Sequence, residues 1–103
     1  MDKKFAIKIT NNYLAKLMEN RIHVYSAYLF GSFAKGKVHK DSDIDLALIL
    51  DKALNNFETE VKLMNLRKGE ETLIEPHVFD TDDFVSDNPL IKEIKNTGIK
   101  LMV

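Results

Sequence analysis

The run Ile44-Asp45-Leu46-Ala47-Leu48-Ile49-Leu50 carries a single polar residue, Asp45. Without the alternation of a half-exposed strand, such a stretch reads as a strand covered on both faces. Val24 to Phe30, rich in aromatic and aliphatic side chains on both faces, reads the same way. Helical patterns are present. Ile9, Tyr13, Leu14, Leu17 and Met18 form one stripe, predicting a helix over about 11–19 with Thr10 or Asn11 as its cap. Phe57, Val61 and Met64 mark the inner face of another, capped within Asp51 to Asn56, reaching about Lys68 and closed by Gly69.

The last helix has its punctuation spelled out. Asn88 stands at the N-cap, Pro89 at the first helical position and Gly98 just past the end, with Leu90, Ile91 and Ile94 apolar. Thr72 to Phe79 reads as a third strand, in which Pro76 points to an edge or a bulge because it cannot donate to a ladder. Ile99 to Val103 reads as a short terminal strand. Helical and strand-like segments alternate, the pattern of an α/β or α+β domain.

With 103 residues, 45% hydrophobic and 30% charged, the expectation is one domain over residues 1–103. A domain of this size has little room for a second site or a closing lid, so a large substrate would need surface supplied by a partner. The absence of cysteine excludes disulfides, zinc–thiolate sites and thiol catalysis. No long apolar run follows Met1-Asp2-Lys3-Lys4-Phe5, so neither a signal peptide nor a membrane span is expected, and the location expected is the cytoplasm. A net charge of −1 gives no general attraction for nucleic acid. Locally, Lys35, Lys37, His39 and Lys40 precede Asp41, Asp43 and Asp45, and a cationic loop beside carboxylates suits a metal-bound triphosphate.

Strand alternation puts Asp43 and Asp45 on one side, roughly 7 Å apart at the backbone. Their repulsion at the head of an apolar strand is relieved by a divalent cation. Magnesium takes oxygen ligands and bridges one or two carboxylates to substrate phosphates. Gly31-Ser32 follows the preceding strand and is expected to open a short helix over Ser32 to Lys35 that stops near Gly36. Glycine permits close backbone approach there, and helix-start N–H groups attract anions. Glu75 is the one carboxylate embedded in the third strand, held extended by Pro76. If that strand pairs beside Ile44 to Leu50, Glu75 completes a three-carboxylate cluster able to hold two metal ions about 3.5–4 Å apart and to accept a proton. His23 reads as structural or solvent-exposed and His39 as a candidate phosphate contact. His77 follows the alternation from Glu75, where packing outweighs a place in the site.

Gly31-Ser32-Phe33-Ala34-Lys35-Gly36, a short loop, and Ser42-Asp43-Ile44-Asp45-Leu46 resemble the signature of the minimal nucleotidyltransferases of the DNA polymerase β-like superfamily. Ile74-Glu75-Pro76-His77 and the stretch from Asn88-Pro89-Leu90 to Lys95-Asn96-Thr97-Gly98-Ile99 extend the resemblance over nearly the whole chain. It implies a small mixed β-sheet flanked by helices, binding Mg²⁺ (one or two ions) and a nucleoside triphosphate, usually ATP. Asp43, Asp45 and Glu75 would be the catalytic metal ligands, and Gly31, Ser32, Lys35 and Ser42 would bind the nucleotide. Many relatives have Arg at the positions of Phe33 and Lys35; Phe33 offers no phosphate contact, and Lys35 keeps the charge without the bidentate geometry.

Stand-alone members of this kind commonly accompany a helical HEPN-type partner, and the nucleotidyltransferase often acts as an antitoxin, in some cases by adding AMP to that partner. The resemblance thus implies an antitoxin of a toxin–antitoxin pair, working as a hetero-oligomer. Two alternatives stay open. One is an antitoxin that neutralises by binding without chemistry. The other is a nucleotidyltransferase acting on a small molecule or RNA, and the absence of a basic track counts against RNA.

Overall fold

A computed structural model describes residues 2–31, 43–85 and 87–103. The two apolar runs form β1 (Val24–Phe30) and β2 (Ile44–Leu50), with the boundaries that the sequence predicts. They pair antiparallel, with Val24 opposite Leu50 and Phe30 opposite Asp45. β3 (Ile74–Asp80) runs parallel to β2, and β4 (Ile99–Leu101) runs antiparallel to β1. The order β3-β2-β1-β4 makes a mixed sheet with both apolar runs at its centre. Pro76 stands on β3, an edge strand, where a missing N–H is tolerated.

Helices cover both faces. Ile44, Leu46, Leu48 and Leu50 of β2 point to the larger core, with Ala27 and Leu29 of β1. That core is closed by Ala6, Ile9, Tyr13, Leu14 and Leu17 of α1 (Lys3–Glu19) and by Leu63 of α2 (Phe57–Asn65). The opposite face of β2 presents Ala47 and Ile49 to Ile94 of α4 (Pro89–Thr97), beside Tyr28, Phe30, Phe79 and Phe84. Phe84 ends the one-turn α3 (Thr81–Phe84). Leu46 and Leu48 are fully buried, each contributing about 1.5–3 kcal/mol of transfer free energy. Asp45 therefore belongs by alternation to the second, smaller face.

Two helical expectations need correction. The first helix begins at Lys3, not near Asn11, because Asp2 caps it: its Oδ1 accepts the Phe5 N–H at 2.8 Å. Thr10, expected as a cap, is buried in mid-helix and donates its hydroxyl to the Ala6 carbonyl at 2.8 Å. α2 ends at Asn65, and its inner face is Thr59 and Leu63; Phe57, Val61 and Met64 are exposed. Gly69, with φ +57°, opens a 3-10 segment, Gly69–Leu73, that leads into β3, so the strand starts two residues later than predicted. The cap expected within Asp51 to Asn56 is Asn56, and Asn88 caps α4 as expected; they accept from Thr59 N and Leu90 N at 2.8 Å each. The short helix expected over Ser32 to Lys35 lies outside the described residues.

Candidate functional site

Asp45 is the polar interruption of β2, and three elements converge on it. β1 ends at Phe30, opposite Asp45, and the chain turns at Gly31 with φ +74°. A Cβ at residue 31 would lie 2.5 Å from Asp45 Oδ2, so the carboxylate fills space that only glycine leaves open. On the other side, the parallel ladder sets Asp45 level with Glu75 and Ala47 level with His77. Glu75 and His77 are two apart, so both face the Asp45 side of the sheet. The His77 Nε2 stands 3.2 Å from Asp45 Oδ1. Ligand atoms of Asp45, Glu75 and His77 all lie within 4.8 Å of one another.

The start of β3 is pinned from below. Arg67, just past α2, donates from Nη1 to the carbonyls of Thr72 (3.0 Å) and Ile74 (2.9 Å), and from Nε to Met64 O (3.1 Å). Glu71 accepts from Lys16 Nζ of α1 and from the Lys68 N–H at 2.9 Å. Burial pushes the Glu71 carboxyl up, but the hydrogen bonds from Lys16 and Lys68 and the Lys16 charge outweigh it and hold it below the usual range. At the far end of β3, the Asp83 N–H and then the Asn55 side chain hold the Asp80 carboxyl below its ordinary value. Glu75 thus sits on a strand fixed at both ends.

Two carboxylates level with each other on adjacent strands, partly open to solvent, are a donor set that fits a divalent cation. Of the residues singled out in the sequence, the structure brings together Gly31, Asp45 and Glu75. Asp43 is exposed, one residue before β2, and is not part of the close group. Ser32, Lys35 and Ser42, like Lys37, His39 and Lys40, lie outside the described residues. His77 is the residue that sequence reasoning set aside. Its signal was the two-residue spacing from Glu75, which acquires weight only once β3 is known to lie beside β2. A groove of about 450 Å³ opens next to His77, between α2 and the edge of β3, lined also by Glu60, Leu63, Met64, Pro76 and Leu90.

The sequence matches the family described as polymerase beta, nucleotidyltransferase over residues 12–103. No curated protein matches it significantly. Among solved structures, a candidate nucleotidyltransferase from Sulfolobus solfataricus superposes with a TM-score of 0.65 at 15% identity, covering 95% of this chain and 80% of that one. A toxin–antitoxin solved with AMP-PNP gives a TM-score of 0.56 at 26% identity, covering 88% and 71%. A mutant of the toxin–antitoxin MntA–HpeT, with two aspartates changed to glutamate, gives 0.58 at 23%, covering 89% and 71%.

Proposed function

Because this chain belongs to the polymerase β nucleotidyltransferase family, we propose that it transfers AMP from ATP to a HEPN-type partner protein, as the antitoxin of a toxin–antitoxin pair. The observation that carries the chemistry is the level pairing of Asp45 with Glu75 beside the Gly31 turn. Asp43, Asp45 and Glu75 would hold one or two Mg²⁺ ions. An ion held there would neutralise charge on the triphosphate and lower the pKa of the attacking hydroxyl. Gly31 lets the backbone approach the phosphates, assisted by Ser32, Lys35 and Ser42. A Glu75 carboxylate oxygen accepts the proton of the acceptor hydroxyl as that oxygen bonds the α-phosphorus of ATP and pyrophosphate leaves. The toxin–antitoxin solved with AMP-PNP supports both the nucleotide and the pairing with a second protein.

A protein acceptor is also supported by the surface. Phe57, Val61 and Met64 are 77%, 40% and 43% exposed along one face of α2, and Leu90 of α4 shares the groove that Met64 lines. Clustered exposed apolar side chains are a mark of protein-binding surfaces. No helix among the described residues is long and apolar enough to cross a membrane, and the proposed location is the cytoplasm.

The test is incubation with Mg²⁺, α-phosphate-labelled ATP and lysate from the protein's own source. One labelled protein is expected. Asp43→Asn combined with Asp45→Asn should abolish the label while circular dichroism stays unchanged; label that persists in the folded double variant overturns the mechanism. The apolar face of α2 favours a second reading, an antitoxin that neutralises by binding alone. In that case the double variant still neutralises its partner.

A further inference from the structure

We infer that His77 is a nitrogen ligand in this metal site, and that the site therefore prefers Mn²⁺ or a later first-row divalent ion to Mg²⁺. The inference rests on the reading that Asp45 and Glu75 hold the metal, and it adds the selectivity.

The spacing of His77 and Asp45 suits coordination. An octahedral ion with bonds of about 2.1 Å holds adjacent ligand atoms about 3 Å apart and opposite ones about 4.2 Å apart. His77 Nε2 and Asp45 Oδ1 are 3.2 Å apart, the spacing of adjacent ligands; the three residues' ligand atoms lie within 4.8 Å of one another, so the exposed Glu75 side chain would swing inward to complete the set. The imidazole is also held in place. Its ring meets Phe30 edge-on, with centroids 5.1 Å apart at 64°, and the residue level with it on β2 is Ala47, whose methyl leaves room for the ring to lean toward Asp45.

Chemistry then favours a particular class of ion. Mg²⁺ takes oxygen ligands and keeps several waters, whereas imidazole suits the later divalent metals. The Nε2 lone pair becomes available when the ring proton resides on Nδ1, with no change in net charge. A residue that merely hydrogen-bonds Asp45 would be replaced adequately by glutamine. A nitrogen ligand would not.

The probe is Mn²⁺ titrated into the full chain without nucleotide and followed by electron paramagnetic resonance, with Mg²⁺ as competitor. Bound Mn²⁺ should show coupling to one imidazole nitrogen. In His77→Gln that coupling should vanish and the preference for Mn²⁺ over Mg²⁺ should fall on the order of tenfold or more. His77→Asp, which restores a charged oxygen ligand, should shift the preference toward Mg²⁺ and shows whether a folded variant still binds. Bound Mn²⁺ without nitrogen coupling, and with the same preference in His77→Gln, overturns the inference while leaving the proposed transfer intact. Failure to bind Mn²⁺ at all also overturns it. Nitrogen-coupled Mn²⁺ in a chain that transfers no label would instead overturn the proposed function.

Discussion

Asp45 Oδ2 lies 2.5 Å from the point where residue 31 would carry a Cβ. The carboxylate and the turn occupy one another's space, so the left-handed backbone at Gly31 and the placement of Asp45 are a single structural fact.

Gly31→Ala is therefore expected to damage the site twice. The left-handed conformation costs a non-glycine residue about 1–2 kcal/mol, and the new methyl drives Asp45 from its place. A displacement near 1 Å at reacting groups costs about 100-fold in rate. The expected result is a transfer rate lower by about that factor, with a modest fall in melting temperature. A stability loss without a rate loss would mean that Asp45 tolerates the shift.

A second prediction concerns how α1 finishes α2. The Tyr13 hydroxyl donates to the Leu63 carbonyl at 2.6 Å, and Lys16 Nζ donates to the Leu66 carbonyl at 2.9 Å. These carbonyls belong to the last turn of α2 and the residue that caps it, where in-helix partners run out. Burial raises the Tyr13 pKa, keeping the phenol protonated as a donor. Tyr13→Phe leaves the buried Leu63 oxygen without that donor, at a cost of about 1–3 kcal/mol. Urea unfolding should show a lower midpoint with an unchanged slope.

Acid should weaken the fold through Glu71 and Asp80, whose folded pKa values are both depressed. A depressed carboxyl binds its proton more weakly when folded, so its stabilisation is complete above the unfolded value, about 4. It is lost as pH falls through the lower folded value. Urea midpoints are expected to be level between about pH 7 and 5 and to drop below about pH 4. Glu71→Gln should lower stability at neutral pH and make the acid decline shallower; an unchanged decline would place the acid sensitivity elsewhere.

Much of this fold is written locally. β1 and β2 could be read residue by residue because central strands carry side chains that are apolar on both faces. α4 was equally legible, since Asn88, Pro89 and Gly98 act through their own backbone chemistry. The errors arose where tertiary context decides. Thr10 looks like a cap, but Asp2 caps the helix and Thr10 turns its hydroxyl back on Ala6. Phe57, Val61 and Met64 make the more hydrophobic stripe of α2, yet Leu63 faces the sheet, because helix orientation is set by what it packs against. In the site, Asp45 could be read from its isolation in an apolar run. The company of Glu75 could be read only on the condition that β3 pairs beside β2, and that of His77 was outweighed by packing, because both depend on the strand order and on a parallel register that periodicity does not encode.

That register bears on what kinds of change a lineage of such chains can accept. Asp45 and Glu75 meet because two strands are held level by backbone ladders, not because of the residues that link them. Gaining or losing one residue at the start of β3 would turn Glu75 and His77 toward the larger core and bring Ile74 or Pro76 to the face that Asp45 occupies. Additions in the connection before β3, at the exposed positions after β2, would be absorbed as surface loop. Descent can rewrite many side chains around this site, but it must preserve the counting frame of one edge strand.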